Sequence, residues 1–162
     1  MKVLYLMRHA KSSWSFDDLT DKERPLNNRG REDAPVMGQA LAKRNTHLDL
    51  IVASPAVRTL STAALVAQEL HYPHEQIRVD ERIYEADVAD LLTVVRELPD
   101  QASSVLLVGH NNTITDFANV LSTNQIEEMP TAGIVCLHFN CAHWAEVDRA
   151  NAEFYFYDHP RR

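Results

Sequence analysis

The sequence predicts an α/β fold: a three-layer, largely parallel sheet with helices on both faces and an antiparallel strand at one edge. Three observations lead there. Short apolar runs at residues 3–7, 48–53 and 104–108, the first of them unbroken, read as buried strands. Stretches with apolar residues at helical spacing separate these runs, and alternating strand and helix is the pattern of a parallel sheet with crossover helices. The last two strand candidates, 134–139 and 153–157, follow one another with no helix between them, which suits antiparallel pairing.

Taken in order, the first strand runs straight into Arg8-His9. Residues 10–28 are polar, with Trp14 and Phe16 among Ser, Asp and Thr. A connection of that length without regular structure reads as a functional loop over the front of the sheet. Residues 30–44 look helical. Pro35 is tolerable only in a first turn, so the expected start lies near Asp33, with Val36, Ala40 and Leu41 facing inward. After the second strand, Ser54 reads as an N-cap and Pro55 as the first helical residue, with Val57, Leu60, Ala64 and Ala67 on the inner face. A short strand at 76–79 and a loop at 81–86 precede a helix with Val88, Leu91, Leu92, Val95 and Leu98 on one face. The strand at 104–108 closes on Gly109-His110. Asn111 or Asn112 can cap a helix striped by Ile114, Phe117, Ala118 and Leu121. The tail from Asp158 is expected to be mobile.

The chain has 162 residues. That length suits a single domain, 1–162, that can bury a core. The formal charge of −7 argues against nucleic acid and anionic membranes as partners, and makes any anion site a local basic pocket in an acidic molecule. The apolar stretch before Arg8 is too short for a signal peptide or a membrane span, which sets a cytoplasmic expectation. Two cysteines do not make a disulfide framework.

Three strand ends carry basic groups: Arg8-His9 on the first, Ser54-Pro55 and then Arg58 on the second, Gly109-His110 on the fourth. In a parallel sheet these ends share one edge, where ligands of open α/β sheets bind. Converging positive charge calls for an anion, and arginine forks match phosphate.

Arg8-His9 after an apolar strand, Ser54-Pro55-x-x-Arg58-Thr59, and Gly109-His110 after another strand together resemble the histidine phosphatase superfamily, or phosphoglycerate mutase-like fold. Arg8-His9-Ala10-Lys11-Ser12, Arg24-Pro25-Leu26 and Pro130-Thr131-Ala132-Gly133 are most similar to the small SixA-type phosphohistidine phosphatases. The resemblance implies that His9 is the nucleophile, that Arg8, Arg58 and His110 hold the phosphate oxygens, and that Glu85 is the general acid. It also implies a phosphate contact at Ser15, where mutase-like members often carry Asn, and directs attention to Arg24. The implied function is metal-independent hydrolysis of phosphohistidine on a protein, without a cofactor. Only 70–82 fills the interval where larger relatives carry a roofing insertion. The open site then admits either a phosphorylated protein or a small phosphomonoester or phosphoanhydride. A phosphate-recognising module with little turnover is a further alternative. The oligomeric state is not expressed in the sequence.

Other features have plainer readings. Arg24 can pair with Asp21 or Glu23 instead of phosphate. Ser54 lacks the flanking glycines of a hydrolase elbow. Cys136-x-His138-x-x-Cys141-x-His143 contains zinc-ligand residue types but not finger spacing, and Cys136 reads as a small buried apolar residue. Trp14 and Phe16 can touch substrate or anchor the loop. Lys11 reads as solvated.

Overall fold

The computed structural model describes residues 1–161. Its strands are β1 (Lys2–Arg8), β2 (Leu50–Ala53), β3 (Arg78–Val79), β4 (Ser104–Gly109), β5 (Ile134–Phe139) and β6 (Ala152–Asp158). Its α-helices are α1 (Asn28–Lys43), α2 (Val57–Glu69), α3 (Val88–Arg96) and α4 (Thr113–Val120). The strands form one six-stranded sheet in the order β3-β2-β4-β1-β5-β6. β1, β2, β3 and β4 run parallel, while β5 lies antiparallel to β1, and β6 to β5. Both antiparallel pairings come after the last helix, as the helix-free end of the sequence requires.

Register brings the strand ends together. Met7 and Ala53 both lie opposite Val108, and Arg8 lies opposite Gly109. Residues just past these positions therefore emerge side by side. The apolar run of β1 is unbroken because both faces are covered. Leu4 and Leu6 pack with α3, α4 and Trp144, whereas Tyr5 and Met7 pack with α1 and α2. Leu4, Leu6 and Met7 are fully buried, each contributing about 1.5–3 kcal/mol.

Several local expectations are corrected. α1 starts at Asn28, because the Asn27 side chain accepts from the Gly30 N–H (2.9 Å) and caps it, so Pro35 lies well inside the helix. Val36 is exposed, while Ala34, Met37, Gly38 and Leu41 are buried. The helix is turned this way because Gly38 meets α2: a β-carbon there would stand 2.8 Å from Glu69 Cβ. In α2 the inner face is Arg58, Thr59, Thr62, Ala63, Val66 and Ala67, and Val57 points outward. The buried threonines are satisfied locally. Thr59 Oγ1 donates to the Ser54 carbonyl, and Thr62 Oγ1 donates to the Arg58 carbonyl. Ser54 is not the N-cap; Ala56 occupies that position.

Segment 10–28 folds back on itself. Ser12 and Leu26 form an antiparallel bridge, Ser13 N–H donates to the Pro25 carbonyl (2.8 Å), and Asn27 N–H donates to the Lys11 carbonyl (3.0 Å). A short 3-10 turn, Asp21–Glu23, lies in the far half of this hairpin. Asp158 ends β6 and Pro160 is buried, so the described tail is packed; Arg162 lies outside the described residues. Among the described residues no helix is long and apolar enough to cross a membrane, and no three His, Cys, Asp or Glu side chains converge as metal ligands. Cys136 is buried in the sheet, and His138 stacks on Tyr155.

Candidate active site

A cleft of about 350 Å³ opens at the carboxyl edge of the parallel strands. Arg8, His9, Lys11, Ser12, Trp14, Asp21, Arg24, Arg58, Tyr84, Glu85, His110, Asn111 and Thr131 line it. Six of the seven expected site residues meet there. Ser15 does not: it is exposed, and its N–H turns to Ser13 Oγ (3.1 Å). Ser12, three positions earlier, lines the cleft instead.

His9 follows β1 directly and is held by its backbone. Its N–H donates to the Gly109 carbonyl, and the Ala132 N–H donates to the carbonyls of both Arg8 and His9 (3.1 Å each). Ala132 adopts a left-handed conformation (φ 64°) at this close approach. The imidazole Nδ1 lies 2.7 Å from the Ala10 carbonyl. A carbonyl only accepts, so Nδ1 carries the proton and Nε2 keeps its lone pair. Burial pushes the His9 pKa down to about 3; His110, Arg58 and Arg8 add to the fall, and the Ala10 bond opposes it. His9 is therefore neutral at pH 7.

His110 follows β4, with its ring centroid 5.5 Å from that of His9. Its Nδ1 faces Arg58 Nη2 at 3.5 Å, and its Nε2 lies 2.8 Å from Ser54 Oγ. Arginine only donates, so Nδ1 accepts and Nε2–H donates to Ser54. Burial, then Arg58, lowers its pKa to about 4, with Asp21 opposing. In this state both ring nitrogens are engaged by the protein, so a phosphate contact requires His110 to exchange one partner.

Arg8 is held apart from the other cations, whereas Arg24 and Arg58 share Asp21. Arg8 Nη1 donates to the Met129 carbonyl (2.9 Å), while its buried Nε has no partner among the described residues. Arg58 is 6% exposed and gives Nη1 to the Asp21 carbonyl (2.6 Å) and Nη2 to Asp21 Oδ2 (3.0 Å). Arg24 is tied to the hairpin through the Ser13 carbonyl, Ser12 Oγ and Asp21 Oδ1, and the Trp14 ring covers its guanidinium at 3.5 Å. Of the two alternatives for Arg24, the structure shows the pairing with Asp21, and it places the same side chain in the lining of the cleft. Glu85 reaches the cleft from the loop after β3, with a left-handed backbone (φ 56°) and an exposed side chain.

Sequence reasoning misses Asp21 and Tyr84 as site residues. The Tyr84 hydroxyl donates to Asp21 Oδ2 (2.6 Å), and its ring meets His110 edge-on at 5.6 Å. The available signal was the Asp21-x-x-Arg24 spacing, which placed a carboxylate beside one cation but gave no hint that it also reaches Arg58.

The chain matches the profile of the histidine phosphatase superfamily (branch 1) over residues 4–93. An uncharacterized protein of Mycobacterium tuberculosis is 30% identical over 165 residues, covering 96% of this chain and 100% of the relative. The structure of a SixA protein of Nakamurella multipartitia, provisionally described as a phosphohistidine phosphatase, superposes with a TM-score of 0.85 at 28% identity, covering 98% of this chain and 96% of that one. The fold is also shared with mycobacterial glucosyl-3-phosphoglycerate phosphatase in complex with VO3: TM-score 0.73 and 16% identity, covering 99% of this chain and 100% of the other.

Proposed function

Because the chain belongs to the histidine phosphatase superfamily, we propose that it is a metal-independent phosphatase that forms a transient phosphohistidine on His9. One observation carries the reading: His9 spends its Nδ1 proton on the Ala10 carbonyl, so a neutral Nε2 is available beside guanidinium groups. Nε2 attacks phosphorus in line; the N–P bond forms as the bond to the leaving group breaks. Arg8, Arg58 and Arg24 balance the phosphoryl charge, and the buried, unpartnered Nε of Arg8 suits an anion there. His110 joins them by turning its Nε2–H from Ser54 Oγ to a phosphoryl oxygen. Glu85 delivers a proton to the leaving group and then takes one from the water that cleaves phosphohistidine, releasing phosphate.

The preferred substrate is phosphohistidine on a cytoplasmic protein. A short connection between α2 and α3 suits an open cleft, and Trp14 in its lining stands 75% exposed, as a contact for a protein surface requires. The cleft's volume favours a second reading, hydrolysis of a small phosphomonoester. SixA-named and phosphoester-hydrolysing proteins both share the fold.

The test is phosphate release in chelator by wild type and His9→Ala, on a phosphohistidine protein, a phosphoramidate and an aryl phosphate. Metal-free turnover that His9→Ala abolishes, with the phosphohistidine protein fastest, is the expected result. Turnover surviving in His9→Ala sinks the covalent mechanism, and a faster aryl phosphate transfers the reading to small esters.

A further inference from the structure

The ring of cations contains a fixed anion. Asp21 accepts through Oδ2 from Arg58 (3.0 Å) and Tyr84 (2.6 Å), through Oδ1 from Arg24 (3.2 Å), and through its carbonyl from Arg58 again (2.6 Å). The Tyr84 bond, ahead of the arginines, holds its carboxyl near pKa 2, so it is ionised throughout the working range. Part of its structural role is duplicated: Lys22 also joins the hairpin to the loop that carries Tyr84, through Glu81 (3.4 Å) and over the Tyr84 ring (4.9 Å).

The charge has a consequence for what enters. A phosphoryl group can draw on Arg8, Arg24 and Arg58. A second anion on the same molecule, close to the phosphoryl group, meets guanidiniums already shared with Asp21, and Glu85 also lines the cleft. Lys11, exposed at the rim, is the other lysine or arginine in the lining. We propose that Asp21 is a specificity determinant: its carboxylate, seated between Arg24 and Arg58, selects phosphoryl groups on neutral or cationic carriers and rejects phosphorylated hydroxy acids. The proposal rests on the cleft being a phosphoryl seat, and deepens that reading by stating which carriers are admitted.

Asp21→Asn removes the charge while keeping an oxygen for Tyr84 and Arg58 and leaving the backbone carbonyl in place. Tyr84→Phe does the reverse, cutting the link between the two segments and keeping the charge. Binding of inorganic phosphate and of 3-phosphoglycerate is measured by calorimetry on wild type and both variants, alongside kcat/KM for an aryl phosphate and for 3-phosphoglycerate. In an open cleft screened almost as strongly as in water, removing one charge a few ångströms from the second anion corresponds to about five- to tenfold in affinity. Asp21→Asn should therefore tighten 3-phosphoglycerate about five- to tenfold, tighten phosphate by less, and move the kcat/KM ratio toward 3-phosphoglycerate. Tyr84→Phe should leave the ratio where it was. Equal weakening of both ligands by Asp21→Asn, an unmoved ratio, or the same shift in Tyr84→Phe overturns the proposal. If wild type fails to bind phosphate at all, the seat itself falls and the proposal with it. A seat that binds phosphate with an unmoved ratio loses the proposal alone.

Discussion

Acidification should destabilise this protein well before its carboxylates titrate, because two neutral histidines are built into the cleft. His9 and His110 have pKa values near 3 and 4 in the folded chain, against about 6.5 for an unfolded histidine. Below about pH 6.5 the unfolded chain takes up protons that the folded one refuses, so stability falls as pH drops. At about pH 5.5 an unfolded histidine is about nine-tenths protonated, and each of the two costs about 1.4 kcal/mol, or about 3 kcal/mol together. His138, lowered by burial, adds in the same direction. Asp21, Asp80 and Asp100, whose pKa values are lowered, keep their charge above about pH 5 and do not offset the loss. Urea denaturation at about pH 7.5 and about pH 5.5 should then show the midpoint falling by roughly 1 M or more, taking a slope of about 2 kcal/mol/M. His9→Gln and His110→Gln should each recover about half of the drop. If wild type and both variants share one pH dependence, the two imidazoles are not held neutral and the account of the nucleophile fails.

Two further outcomes follow from the geometry. Arg58→Lys keeps the charge but cannot fork onto the Asp21 carbonyl and carboxylate together, so kcat/KM should fall about 10²–10³-fold with the far-ultraviolet circular dichroism unchanged; a loss under threefold contradicts the positioning role. Gly30→Ala would set a methyl 2.1 Å from the Lys11 carbonyl oxygen, so thermal unfolding should show a loss of about 1–3 kcal/mol, and a variant as stable as wild type would mean that the hairpin base yields freely.

The parts legible in the sequence are those set by period and order. The unbroken run into Arg8-His9 identified an inner strand and the end of it that opens on the cleft, since a strand covered on both faces needs no alternation. Helix phase was harder. Val36 and Val57 look like core residues on hydrophobicity, yet Gly38 and the threonines of α2 decide which faces pack, through close approach and backbone hydrogen bonds. Pro35 misled on the start of α1 because the Asn27 cap lies a full turn and more upstream of it. Within the site, residues at strand ends were found because topology alone gathers them. Asp21, Tyr84 and Ser12 depend on how segment 10–28 folds, and a polar stretch with no period carries no such information. Ser15 was named from a family position, whereas the Ser12–Leu26 bridge accompanies a Ser12 that lines the cleft.

That bridge has an evolutionary reading. The hairpin is closed at its base by Ser12 with Leu26, Ser13 with Pro25 and Lys11 with Asn27, beginning two residues after His9. Residues beyond the base, from 14 to 23, hang from a fixed hinge line. Within that span Asp21 is the fixed point, because its carbonyl and carboxylate hold Arg58. Change at the exposed positions 15–18 would leave that hold in place, and the His9 imidazole where β1 leaves it, so the hairpin offers a place to alter targets without moving the cations of the cleft.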